Sequence, residues 1–218
     1  MTKGREMKNI RFEDGLDKEF GKWSDVASDI IATPMLEPEF CDYLIQQFEA
    51  AGFDRLPNYT MDCLMHRTEN GRELCMSWLN AIKKVIEPKI VDKWTVAVMA
   101  RTHSGYAIPF CKKYAEARTP YQNMSLALHN DHALFTLGIR LNDGYEGSET
   151  IFPRQGFNLR EAPVGMVAIW PGTATHPHYA GDLKAGVKYT LVGRMGIVAP
   201  RGDECDDIEK FFRSREPY

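Results

Sequence analysis

The sequence predicts an α+β fold, mainly β: a double-stranded β-helix, or jelly roll, flanked by helices from the N-terminal part of the chain. Three observations predict it. The second half repeats short apolar stretches of period two, separated by Gly, Pro and Asn-Asp turn signals. The first third carries two apolar stripes at helical spacing. With 218 residues, 44% of them hydrophobic and 26% charged, the chain suits one core of good size and needs no second domain. Residues 1–218 are therefore expected to form a single domain. Its helical support would span about 35–92, its jelly-roll core about 93–198, and a short tail would complete it.

Met1 to Trp23 alternates charges and lacks the apolar run of a signal peptide, and nowhere do roughly 18 consecutive apolar residues occur. A cytoplasmic protein without a membrane partner is the expectation. EPEFCDYLIQQFEAAG has Pro38 near its start, Phe40, Tyr43, Leu44 and Phe48 on one face, and Gly52 at its stop, which predicts a helix. In NGRELCMSWLNAIKKVIEP, Leu74, Trp78, Ile82, Val85 and Ile86 form a second stripe, and Pro88 is expected to end it. Both stripes read as core packing against a sheet. WTVAVMAR (94–101) and YAIPFCKKY (106–114) read as strands leading into the second half.

There, Phe135, Leu137, Ile139 and Leu141 alternate with Thr136, Gly138 and Arg140, a strand signature. GYEGSETIFPR reads as a turn and short strand, VGMVAIWPG as an apolar strand closed by Pro171-Gly172, and VKYTLVGRMGIV as another strand. In the tail, Ile208, Phe211 and Phe212 suit a short docking helix, and a solvated tail is the competing reading.

Chemistry enters with SLALHNDHALF. Residues i and i+2 of a strand point to one face, so His129 and Asp131 can hold one ion from a strand end. A strand-end histidine beside an exposed aspartate is the commoner meaning of such a triplet. The residues downstream shift the balance toward a metal: THPH supplies His176 and His178, and Lys188 stands ten residues after His178. Two imidazoles and one carboxylate leave metal positions open, the arrangement associated with non-heme Fe(II) oxygenases. Strand parity does not choose between His176 and His178.

The segment from His129 to Val192 resembles the 2-oxoglutarate and Fe(II)-dependent dioxygenases of the prolyl and lysyl hydroxylase class. In that class a glycine stands two residues before a basic anchor, and the distal histidine ten before it; His178, Gly186 and Lys188 match. FCKKY, SLALHNDHALFTLGIRLN, GYEGSETIFPR and EAPVGMVAIWPGTATHPHYAGDLKAGVKYTLVG most resemble the catalytic domain of procollagen lysyl hydroxylases and their viral relatives. The resemblance implies Fe(II) held by His129, Asp131 and His178, which would be the catalytic residues, and 2-oxoglutarate as cosubstrate. Lys188 would anchor its far carboxylate, with Thr190, on the same strand face, and Tyr114 as hydroxyl partners. Oxygen is the co-reactant, the cosubstrate leaves as succinate and carbon dioxide, and ascorbate helps keep the iron reduced. The outcome implied is hydroxylation of an unactivated C–H bond in a lysyl or prolyl side chain, of a peptide or free amino acid.

For an ammonium-bearing acceptor, Asp62 in YTMDCLM is the acidic partner the resemblance favours, with Asp143, Glu146 and Glu149 competing. His176 lies two residues from a proposed ligand and would line the substrate mouth. Trp170 reads as barrel-rim packing, and His66, His103 and His132 as satisfied or exposed histidines. Cys41, Cys63, Cys75, Cys111 and Cys205 form no CxxC pair and no even set, which predicts reduced thiols. A net charge of −3 and a pI near 6.1 give no global basic field, so no nucleic-acid partner is expected. A homodimer stays open. Two other classes compete with the hydroxylase: a cupin-like metal protein that does not use 2-oxoglutarate, and a non-enzymatic jelly-roll binding module. A dicarboxylate anchor such as Lys188 with Thr190 has no use in the first, and a complete metal triad argues against the second.

Overall fold

The computed structural model describes residues 10–55, 61–94, 106–115, 125–197 and 208–213. A 3-10 turn at Phe12–Gly15 opens it, followed by a hairpin of β1 (Ser24–Ala27) against β2 (Ile30–Pro34). The helix α1 (Pro38–Ala51) comes next, with Pro at its first turn and Gly52 at its C-cap at φ 82°. After β3 (Asp54–Arg55) and β4 (Met61–Leu64) come α2 (Gly71–Ala81), a π turn over Ile82–Ile86, and α3 (Glu87–Trp94). The second half holds β5 (Phe110–Ala115), β6 (Leu126–His129), β7 (Ala133–Arg140), β8 (Glu146–Gly147), β9 (Thr150–Phe152) and β10 (Phe157–Asn158). It continues through β11 (Met166–Pro171), β12 (His178–Ala180), β13 (Leu183–Ala185) and β14 (Val187–Ile197), and α4 (Ile208–Arg213) closes it.

The strands form a double-stranded β-helix. Its major sheet has the order β1-β2-β11-β7-β14-β5-β4-β3, its minor sheet the order β10-β9-β12-β6, and β13 pairs with β8 separately. Every pairing is antiparallel. Period-two alternation assigns the two faces of the major sheet. Leu137, Ile139, Val167 and Leu191 face the helices and join a core with Leu44 and Phe48 of α1 and Leu74 and Trp78 of α2. Ala32, Ala168 and Trp170 face inward and meet Phe152 and Phe157 of the minor sheet in a second, smaller core. Because both faces of β7 are covered, nearly all of its residues are buried.

Three expectations change. Pro88 does not end the second helix: the chain runs on as α3 to Trp94 after the π turn. A proline ring collides with the carbonyl four residues back in a regular α-helix, and the wider π turn just upstream displaces that carbonyl. The β1–β2 hairpin was not expected at all, and β3 and β4 place part of the supposed helical support in the major sheet. YAIPFCKKY is a strand only from Phe110 onward. The expected strand WTVAVMAR beyond Trp94 lies outside the described residues, as do His103 and Cys205. The tail does hold a helix, α4, with Ile208, Phe211 and Phe212 buried. Cys41, Cys63, Cys75 and Cys111 are free buried thiols, and burial raises the pKa of each. No helix among the described residues is long and apolar enough to cross a membrane.

Candidate active site

A cavity of about 550 Å³ opens between the two sheets, and His129, Asp131 and His178 share its wall. His129 ends β6 and stands directly opposite His178 of β12 in the antiparallel register. One ligand atom from each of the three residues lies within 4.8 Å of the others. The Nε2 atoms of His129 and His178 are 3.8 Å and 3.7 Å from the two carboxylate oxygens of Asp131. These distances exceed hydrogen-bond length and leave room for an ion between them.

The tautomers are settled by backbone acceptors. His129 Nδ1 lies 2.8 Å from the Ala127 carbonyl, and His178 Nδ1 lies 3.0 Å from that of His176. A carbonyl only accepts, so each Nδ1 carries a proton and Nε2 is the ring nitrogen turned toward Asp131 and free to bind a metal. Phe152 stacks on the His178 ring at 4.9 Å, and Trp170 meets its edge at 5.4 Å. Burial lowers the His178 pKa, which favours the neutral, metal-binding form.

His129 and Asp131 do converge, but not through strand parity. Asp131 lies beyond the end of β6, in the connector to β7, where the alternation of a strand does not aim a side chain. Its N–H instead donates to the Gly172 carbonyl at 2.9 Å, and Trp170 Nε1 donates to its carboxylate at 3.2 Å. A Cβ at Gly172 would lie 2.3 Å from the Ala133 carbonyl oxygen and 3.2 Å from Asp131 Cβ. The glycine therefore permits this close approach. Trp170 itself needs Gly138, where a Cβ would lie 2.8 Å from the indole ring. Trp170 is thus more than rim packing, a role no local signal in the sequence carried.

Further along the interior, Lys188 of β14 is 2% exposed. Its ammonium donates to the Ser148 carbonyl and, at 3.0 Å, to Thr150 Oγ1, and it lies 4.7 Å from the Tyr114 ring centre. Burial pushes its pKa down to about 7. Tyr114 is directly opposite Lys188 on β5, and burial raises its hydroxyl pKa. Thr190 is opposite Arg140 on β7. Lys188, Thr190, Arg140 and Thr150 line one recess, and Thr150 and Thr190 also line the main cavity. Thr190 Oγ1, Arg140 Nε and Ser148 Oγ are buried without a hydrogen-bond partner. Buried donors are rarely left idle, and three around one lysine suit an anionic guest. Gly186, at φ 78°, makes the turn into β14; a Cβ there would lie 2.4 Å from the Gly144 carbonyl oxygen. Arg140, Ser148 and Thr150 carry no signal in the sequence, because only the register brings them to Lys188.

Asp62 lines the cavity, and Lys112 donates to it at 2.6 Å. Asp143 pairs with Arg140 at 3.2 Å and Glu149 with Arg160 at 3.0 Å, while none of Asp143, Glu146 and Glu149 lines the cavity. His176 does not line the mouth. It is 1% exposed, its Nδ1 lies 2.9 Å from Thr175 Oγ1, and its Nε2 reaches the Ser28 carbonyl at 3.2 Å, which turns it toward the β1–β2 hairpin. His132 is exposed and lines the cavity near the triad instead of facing away, because it too lies outside a regular strand. His66 packs against Phe211 at 4.6 Å.

No protein-family model matches the chain. It is 25% identical over 184 residues to human procollagen-lysine,2-oxoglutarate 5-dioxygenase 2, covering 75% of this chain and 23% of that protein. It is 24% identical over 185 residues to the multifunctional procollagen lysine hydroxylase and glycosyltransferase of Caenorhabditis elegans, with the same coverage. The chain thus spans about a quarter of the length of the curated relatives it matches. Among solved structures, it superimposes on the viral collagen prolyl hydroxylase of Paramecium Bursaria Chlorella virus-1 with 2-oxoglutarate bound. There the TM-score is 0.54 at 15% identity, covering 79% of this chain and 97% of that one. A Trichoplax adhaerens prolyl hydroxylase, in complex with a hypoxia inducible factor oxygen degradation domain peptide fragment, gives a TM-score of 0.57 at 12% identity. Coverage there is 78% of this chain and 84% of that one. In sequence the chain is similar to the procollagen lysyl hydroxylases, and its fold is the one shared by these 2-oxoglutarate and iron oxygenases.

Proposed function

We propose that the protein is an Fe(II)- and 2-oxoglutarate-dependent hydroxylase acting on a lysyl or prolyl side chain. The observation that carries this reading is a shared neighbourhood: two Nε2 atoms and a carboxylate face one point of the cavity, and a buried lysine and idle donors cluster behind Thr150 and Thr190, which line that cavity too. His129, Asp131 and His178 would hold the iron, which supplies oxygen activation when bound. Lys188 would carry the far carboxylate of 2-oxoglutarate, with Thr190 and Arg140 donating beside it and Tyr114 covering the ammonium. Without an anionic guest Thr190 Oγ1, Arg140 Nε and Ser148 Oγ have no hydrogen-bond partner, which favours the hydroxylase over a cupin that does not use 2-oxoglutarate. Asp62 would receive an ammonium-bearing acceptor, taking the place that Lys112 holds in its absence.

Purified protein with Fe(II), ascorbate and 2-oxoglutarate is expected to release succinate, and candidate amino acids and peptides to gain one oxygen atom by mass spectrometry. Full-rate turnover with 2-oxoglutarate omitted would overturn the reading. The Trp170 hydrogen bond gives a second test. Trp170→Phe keeps an aromatic ring and removes the N–H donor to Asp131. Such partners of metal ligands are worth about 10- to 100-fold in affinity. Titration with Mn(II) under argon should show a loss in that range, and an unchanged constant would mean that the indole N–H plays no part.

A further inference from the structure

Arg194 lines the same cavity, and neither the metal set nor the cosubstrate recess uses it. It lies on the inward face of β14, six residues beyond Lys188, which is roughly 20 Å along a strand at about 3.3 Å per residue. A five-carbon dicarboxylate held by Lys188 cannot reach it. Arg194 pairs in register with Thr136 of β7, and Thr136 with Trp170 of β11, the residue that donates to Asp131. The guanidinium therefore belongs to the row of the sheet nearest the metal ligands, on the acceptor's side of the cavity.

Two idle donors mark that row. Arg194 Nε and Thr136 Oγ1 are both buried without a hydrogen-bond partner, and they come from residues directly opposite each other. The guanidinium lies 5.1 Å from the Phe110 ring centre, which holds its plane without neutralising its charge. Lys112 and Asp62 compensate each other at 2.6 Å. Arg194 has no carboxylate partner among the described residues. A planar guanidinium beside a hydroxyl donor matches a carboxylate.

We infer that Arg194, assisted by Thr136, binds a carboxylate of the hydroxylation acceptor. This rests on the hydroxylase reading of the cavity and narrows its substrate to a carboxylate-bearing one. That carboxylate belongs either to a free amino acid or to an acidic side chain next to the modified residue of a peptide.

Two matched pairs of probes separate these sources: L-lysine with L-lysinamide, and acetyl-Glu-Lys-amide with acetyl-Gln-Lys-amide. Binding to the full chain is measured by ligand-detected NMR titration without metal or cosubstrate, and acceptor-stimulated succinate release is measured in parallel. In at least one pair the carboxylate member should bind about ten- to a hundredfold tighter. Arg194→Gln should erase that preference, Arg194→Lys should keep part of it, and Thr136→Val should weaken it. A preference in the first pair identifies a free amino acid, and one in the second identifies an acidic peptide. Equal binding within both pairs of the unaltered protein, no binding by any probe, or a preference that survives Arg194→Gln overturns the inference. Failure of the hydroxylase reading looks different: the charge preference holds in the binding titration while no succinate appears with any probe.

Discussion

Lys188→Met is expected to lower 2-oxoglutarate affinity by roughly two to three orders of magnitude while leaving metal affinity unchanged. Methionine keeps an unbranched stem and removes the cation, which leaves the far carboxylate to Thr190 and Arg140. Removing one partner of a buried charge pair costs about 3 to 5 kcal/mol, at about 1.4 kcal/mol per tenfold; Arg140 nearby keeps the loss toward the lower end. Titrations of metal and of 2-oxoglutarate under argon separate the roles, since unchanged cosubstrate affinity would move the anchor elsewhere. The same substitution should stabilise the ligand-free protein. Burial holds the Lys188 amine at about 7, below its ordinary value of 10.5. The unfolded chain therefore binds more protons between these values, and stability rises as pH climbs from about 7 toward 10.5. Keeping the amine buried costs about 4 to 5 kcal/mol at pH 7, and the Ser148 and Thr150 hydrogen bonds return about 1 to 3. The mutant should melt higher at pH 7, with its advantage shrinking as pH rises. A mutant that melts lower throughout the range would contradict this.

His178→Ala is expected to abolish specific divalent metal binding and, with it, succinate formation. It removes one of three ligands, a larger loss than the 10- to 100-fold typical of a ligand's hydrogen-bond partner. His176→Ala should keep the metal, because what His176 offers His178 is its backbone carbonyl, which alanine retains. The cost there is stability: the Nε2 bond to the Ser28 carbonyl is lost from a buried site, at about 1 to 3 kcal/mol. Mn(II) titration and thermal melting of both variants distinguish the two histidines. The reverse pattern would transfer the ligand role to His176.

The range of each interaction decides which features were legible in the sequence. The stripe of Phe40, Tyr43, Leu44 and Phe48 and the alternation from Phe135 to Leu141 are local periodicities, and α1 and β7 appear where those periods place them. The β1–β2 hairpin was illegible because its turn is Ser28-Asp29, with Asp29 at φ 55°, and not the Asn-Gly or Asp-Gly that marks tight hairpins. Pro88 misled because the π turn before it has no signature in composition.

By itself the sequence determined which candidate residue types are present and in what order: His129 and Asp131, then His176 and His178, then Lys188, because these are spacings along one chain. It also determined the two periods from which a sheet backed by helices is built. Only the tertiary structure decided that His178 faces the triad while His176 turns to Ser28, and that a Trp170 hydrogen bond and Gly172 aim Asp131. It likewise decided that Arg140 and Thr150 join Lys188 while Arg194 and Thr136 share a register row with Trp170. These choices depend on strand register between residues far apart in the chain, and register is set by packing both faces of a sheet at once, which no local pattern encodes.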